Sequence, residues 1–138
     1  MAIFMGNQVA VIAGTTTIST FVSSVSLSRE IDPVEITTMS TSASQQFHNF
    51  IGGLESSTLA MELFNDFAAA SVNTLFEDAI GTKLAIKLIP VTGTVTATNP
   101  SYSMSCFIGS WQPINTTPDS PLTVSVSFPI TALTKATS

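Results

Sequence analysis

His48 and Cys106, the single histidine and single cysteine of the chain, are the side chains best suited to act near neutral pH as a base or a soft nucleophile. Cys106, however, lies on an alternating apolar strand face and reads as a small buried hydrophobe. His48 lies in a polar stretch between Phe47 and Phe50 and reads as a loop or interface histidine. One of each cannot assemble a His/Cys metal set within one chain. Glu77 and Asp78 are adjacent on a helical segment, where neighbours point apart, so they read as a solvated face rather than an acid–base pair. Asn115-Thr-Thr matches the glycosylation tripeptide without an export signal, and Gly52-Gly53 lacks the spacing and lysine of a phosphate loop and reads as a turn. Trp111, at a strand end, reads as an aromatic at the edge of the core. No catalytic residue, metal ligand or cofactor site is assigned, and the chain does not read as an enzyme.

The elements that hold these residues are mostly strands. Successive strand side chains point to opposite faces. Tyr102, Met104, Cys106 and Ile108 therefore share an apolar face backed by Ser103 and Ser105, and Leu122, Val124, Val126 and Phe128 share one backed by Thr123, Ser125 and Ser127. Further strands are expected over 7–13, over 21–31 with Phe21, Val25, Leu27 and Ile31 on one face, over 57–65 with Leu59, Met61 and Leu63 inward, and over 82–90 with Leu84, Ile86 and Leu88 inward. Asp32-Pro33 is expected to bend or interrupt the second, after which Val34 and Ile36 resume the alternation against Glu35 and Thr37. One helix is expected at 71–80: Val72, Leu75, Phe76, Ala79 and Ile80 form one stripe, Ser71 is placed to cap it and Gly81 to end it. Residues 40–57 read as a long polar loop, a length usually tied to function or to a partner.

Composition narrows the class. The 138 residues suit one domain, 1–138, with a single core. Charged residues are 9% of the chain against roughly 25% in an average soluble domain, which favours association over life as a lone monomer. The net charge is −5, and the only basic residues, Arg29, Lys83, Lys87 and Lys135, are scattered, which argues against phosphate-backbone binding. No apolar run reaches membrane-span length, so no membrane partner is expected. The opening residues have no basic n-region and are interrupted by Gly6, Asn7 and Gln8, a poor match to a signal peptide.

The order of several short motifs carries a resemblance. Val-Glu-Ile-Thr-Thr-Met over 34–39, Phe50-Ile-Gly-Gly-Leu54, a strand ending Phe64-Asn-Asp66, a short helix, Gly81-Thr-Lys-Leu-Ala-Ile-Lys-Leu-Ile-Pro90, Asn99-Pro-Ser-Tyr102 and a final Ser-Val-Ser-Phe-Pro-Ile130 follow one another. Across residues 20–131 this resembles the major tail protein, or tail tube protein, of long-tailed bacteriophages. The resemblance implies a mainly β fold, a β-sandwich of about seven or eight strands with one flanking α-helix. It further implies a structural virion protein whose copies form stacked, hexameric rings: the tail tube through which DNA is ejected. Implied partners are the chain itself within and between rings, the tape measure protein and DNA in turn inside the lumen, and tail tip and terminator proteins. The implied location is the virion tail, assembled in the host cytoplasm. The C-terminal immunoglobulin-like domain of some relatives is not expected here, which leaves a host-surface adhesion role without support but not the tube role.

On this reading the hydroxyl faces line the channel, because Ser and Thr with an occasional Glu give phosphate nothing to grip. The expected lining is Glu35, Thr37, Thr58, Ala60, Glu62, Ser103, Ser105, Thr123, Ser125 and Ser127. Phe47, His48, Phe50, Ile51 and Leu54 are expected to anchor the 40–57 loop on a neighbouring subunit. Two other classes stay open: another virion subunit, such as a head decoration or head–tail connector protein, and an immunoglobulin-like binding module, on which the hydroxyl faces would be plain outer surface.

Overall fold

The computed structural model of the chain describes residue 3 and residues 6–37, 48–68 and 71–138. Its longest strand, β9 (Thr123–Ala136), begins as the alternation of the sequence requires, with Val124, Val126 and Phe128 buried and Ser125 and Ser127 exposed. Along its first half β9 pairs antiparallel with β6 (Ser57–Phe64), from Thr123 opposite Phe64 to Ile130 opposite Ser57. Along its second half it pairs with β8 (Ser101–Phe107), from Ile130 opposite Cys106 to Ala136 opposite Ser101. At the changeover Thr131 is an unpaired extra residue, and its Oγ1 donates to the Ser105 carbonyl at 3.2 Å. A bulge bends a strand and increases its twist, and Pro129 beside it has no N–H to give a ladder. One strand thus belongs to two halves of a sheet that curls over its own core.

The remaining strands extend these halves. β7 (Lys83–Ile89) pairs with β8, β1 (Ala10–Ala13) with β7, β2 (Thr16–Thr17) with β1, and β3 (Val22–Ser28) with β6, giving the order β2-β1-β7-β8-β9-β6-β3. A separate two-stranded ribbon joins β4 (Ile31–Glu35) and β5 (Phe50–Glu55). The fold is mainly β and sandwich-like, with nine strands and one α-helix among the described residues. Inside the curl, Leu59, Met61 and Leu63 of β6 meet Val124, Val126 and Phe128 of β9, Met104 and Cys106 of β8, Ile86 and Leu88 of β7, and Val11 and Ala13 of β1. Each large side chain buried this way contributes about 1.5–3 kcal/mol.

The helix α1 (Val72–Asp78) is too short to persist on its own propensity, so packing must hold it. Phe76 lies between Trp111 and Phe128, with ring centroids 4.7 and 5.8 Å away. The Trp111 indole N–H donates to Asn73 Oδ1 at 3.0 Å, and the same oxygen accepts from Asn65 Nδ2 at 3.2 Å. Ser71 precedes the first turn, but its hydroxyl bonds Asp66 Oδ2 at 2.6 Å instead of capping. That bond, with the Ala68 amide, holds the Asp66 carboxyl below the usual range.

Several boundaries differ from the sequence reading. Gly6–Gln8 form a 3-10 turn, so β1 starts at Ala10. β3 ends at Ser28, and the chain breaks at Arg29-Glu30 instead of Asp32-Pro33; Ile31 opens β4, and Pro33 is tolerated in a two-stranded ribbon beside a register shift. Val34 and Ile36 resume the alternation but are exposed, because no layer of the described residues covers the ribbon. The 40–57 loop is a strand over Phe50–Glu55, Ser57 already belongs to β6, and residues 40–47 lie outside the described residues. Gly52 and Gly53 sit inside β5, not in a turn. Ile80 is 46% exposed because the helix ends at Asp78, and Gly81 leaves it at φ +82°.

Phe76→Ala is expected to cost about 3–5 kcal/mol, read as a lowered denaturation midpoint with an unchanged denaturant slope. Burial pushes the Cys106 thiol up from its ordinary 9.0 to about 11. The unfolded chain therefore loses this proton first, so the contribution is complete below about pH 9 and falls away as pH rises toward 11. Cys106→Ala should flatten that part of the stability–pH curve relative to wild type, and identical slopes would show that the thiol is not held neutral.

Candidate functional site

β3 and β6 do not end where the curled sheet ends. Beyond Ser28 opposite Thr58, the Ser56 amide donates to the Glu30 carbonyl at 2.6 Å and Ile31 faces Glu55, so β4 and β5 prolong the same hairpin as an arm. At its root the Arg29 Nε donates to Glu55 Oε1 at 2.7 Å and Ser57 Oγ donates to the same oxygen at 3.0 Å. These bonds, Arg29's first, hold the Glu55 carboxyl below its usual range and raise Arg29 further. The pair is solvent-exposed and orients the root more than it stabilises the fold.

Every residue of β4 and β5 is exposed. An isolated two-stranded ribbon is marginal in water, and this one is apolar on both sides. Val34 and Ile36, with Ile51 opposite Val34, share one side with Asp32; Pro33 and Phe50 share the other with Glu35 and His48. Phe50 is 53% and Leu54 85% exposed. Glu35 Oε1 lies 2.5 Å from His48 Nδ1, and the Thr37 hydroxyl accepts the Asn49 amide at 2.7 Å, pairings that align the distal end. The strands approach most closely at Gly53, where a Cβ would stand 2.9 Å from the Asp32 carbonyl oxygen and 3.0 Å from Val34 Cγ2. Only glycine fits there without moving backbone.

The second candidate surface is the outer face of β3, β6 and β9. Register sets Ser24, Glu62 and Ser125 in one row, Ser26, Ala60 and Ser127 in the next, and Ser28, Thr58 and Pro129 in a third, with Thr123 beside Phe64. Glu62 is its single charge. Six of the ten residues expected to line a channel, Thr58, Ala60, Glu62, Thr123, Ser125 and Ser127, are thus brought together. The other four are not. Glu35 and Thr37 lie on the arm, while Ser103 and Ser105 lie on the outer face of β8, with Ser103 opposite Lys87 and Phe107 opposite Lys83.

Of the residues expected to anchor a neighbouring subunit, His48, Phe50, Ile51 and Leu54 are on the arm, and Phe47 lies outside the described residues. The sequence reading missed Ser24, Ser26 and Ser28, although their alternation with Val25 and Leu27 signals the same wet face. It also missed Ile31, Val34 and Ile36 as exposed groups, since alternation marks sides but not what covers them. Cys106 and Trp111 are buried in the core. Among the described residues no group of three or more His, Cys, Asp or Glu could hold a metal ion, and no helix is long and apolar enough to cross a membrane. A scan against protein-family models and a search of curated proteins each find no match for the chain.

Gly53→Val should force the Asp32 carbonyl away and part β4 from β5 while leaving the core alone. Hydrogen exchange is expected to show lost amide protection over 31–35 and 50–55 with β6 to β9 unchanged; retained protection in the ribbon would refute the close approach.

Proposed function

We propose that this chain is a structural subunit that assembles through its arm into stacked rings, the tail tube of a long-tailed bacteriophage. The observation that carries this reading is the arm itself: a ribbon with Val34, Ile36 and Ile51 on one side and Pro33 and Phe50 on the other, none of them covered by the described residues. A lone monomer gains nothing by exposing them, whereas an assembly that covers both sides recovers the hydrophobic term for each. The charge content of 9% supports the same conclusion, since it leaves little to keep copies apart.

The lumen wall in this proposal is the β3–β6–β9 face. DNA passing through a tube must not stick, and a wall of serine and threonine with Glu62 offers no cation that could displace counterions from phosphate. The β7–β8 face, which carries Lys83 and Lys87, suits the outside or a ring contact. Rings of this kind would bury thousands of Å² per subunit, as obligate interfaces do. The tape measure protein and DNA would occupy the lumen in turn, tail tip and terminator proteins the two ends.

Electron microscopy and light scattering of the concentrated protein, alone and with tail tip nucleators, are expected to show rings or tubes; monomer at every concentration and salt would overturn the proposal. Glu62→Lys should change stability by no more than about 0.5 kcal/mol, since it replaces one exposed side chain by another. In virions it should give tails of normal appearance with slowed or incomplete DNA ejection. Ejection at the wild-type rate would move this face off the lumen.

A further inference from the structure

We propose that the arm of one copy seats in an apolar groove at the open seam of the next copy, so that assembly runs head to tail. This rests on the assembly reading above and names the surface that receives the arm. The curled sheet does not close: its order ends at β2 and β1 on one side and at β3 on the other. Val25 and Leu27 of β3 face Leu88 and Tyr102 across the gap, with Val9 and Pro90, around a groove of about 420 Å³. That is the size range of ordinary ligand pockets, about 300–1,000 Å³, and leaves room for a pair of large apolar side chains.

Charge complementarity selects the occupant. Arg29 lines the groove but is paired with Glu55 of its own chain, whereas Lys135 Nζ stands 6.0 Å from the centre of the Tyr102 ring at the groove's side. Among the described residues Lys135 has no carboxylate within salt-bridge distance. The arm supplies the opposite charge: Asp32 shares a side with Val34, Ile36 and Ile51, and among the described residues it has no cation within salt-bridge distance. An apolar ribbon side with a carboxylate on it fits an apolar groove with a free ammonium on its rim.

The arm grows from the rim of its own groove, since Arg29 both lines the groove and holds Glu55. Its apolar side nevertheless remains exposed, so it does not fold back into that groove. Donor and acceptor are then different surfaces of one chain. A contact of this type is heterologous and continues from copy to copy, closing into rings or running on as filaments, whereas an arm-to-arm contact would stop at a dimer.

The experiment mixes two variants, each confirmed folded by circular dichroism. Ile51→Asp spoils the arm and leaves the groove; Val9→Glu combined with Lys135→Glu spoils the groove and leaves the arm. Each alone is expected to stay monomeric under conditions where wild type assembles. Mixed in equal amounts they should form dimers and nothing longer, because each pair holds one working arm and one working groove. Self-assembly of the groove variant would overturn the arm-in-groove contact while leaving the tube reading in place, and so would a mixture that stays monomeric. Failure of wild type to assemble at all would overturn both. Should either variant misfold, oxidation of assembled Ile51→Cys, Val9→Cys double variants tests the same contact: a cross-linked ladder of copies supports it, and its absence in well-formed assemblies refutes it.

Discussion

The strand β9 serves two partners, and the rest of the molecule follows from the point where it changes between them. Ladder hydrogen bonds to β6 end at Ile130 and those to β8 begin there, with Thr131 left over as the extra residue of a bulge. The bulge shifts the parity of the strand, so the outward positions change from Ser125 and Ser127 to Ala132 and Thr134. Without that step the second half would present its apolar residues to the wrong side, as any one-residue slip does. With it, two half-sheets close on one core, to which the two-turn helix adds Val72 and Phe76, the latter held between Trp111 and Phe128.

The same curl creates the two features proposed for assembly. A sheet that bends over itself without meeting its far edge leaves a seam, and the seam between β1 and β3 is where the apolar groove lies. A hairpin longer than the half-sheet it belongs to must leave it, and β3–β6 leaves as the β4–β5 arm. Edges and projecting ribbons are liabilities in a monomer because they template association. Here the arm carries no lysine, and among the described residues nothing covers it. Its charges are acidic at Asp32 and Glu35, of one sign, which orients a partner more than it repels one.

The division between what was legible and what was not is clearest along single strands. In β6 the pattern Leu59, Met61, Leu63 against Thr58, Ala60, Glu62 is local, and the structure keeps it unchanged. At the end of β4 and the two residues after it, the pattern Val34, Ile36 against Glu35, Thr37 is as regular, yet both sides are exposed. Periodicity states which side chains share a side. Burial depends on whether another layer lies within about 10 Å, and that layer comes from distant sequence. The glycines show the same limit: Gly81 is recognisable as a helix stop, while Gly53 inside a strand is explained only by the Asp32 carbonyl 2.9 Å away from where its Cβ would be.

Legible along single stretches of the chain were the mainly β class, a helix near its observed place, and the inward and outward sets of β6, β7, β8 and the first half of β9. These are local properties, set by side-chain type and spacing within a few residues. It took the folded chain to bring Ser24, Ser26 and Ser28 beside Glu62 and Ser125 on one wet face, to set Ser103 beside Lys87, to make part of the polar stretch before β6 a strand, and to carry β9 on past Pro129. Each depends on register between segments tens of residues apart, and register is fixed by which buried faces fit together across the core, a condition no single stretch of the chain can express.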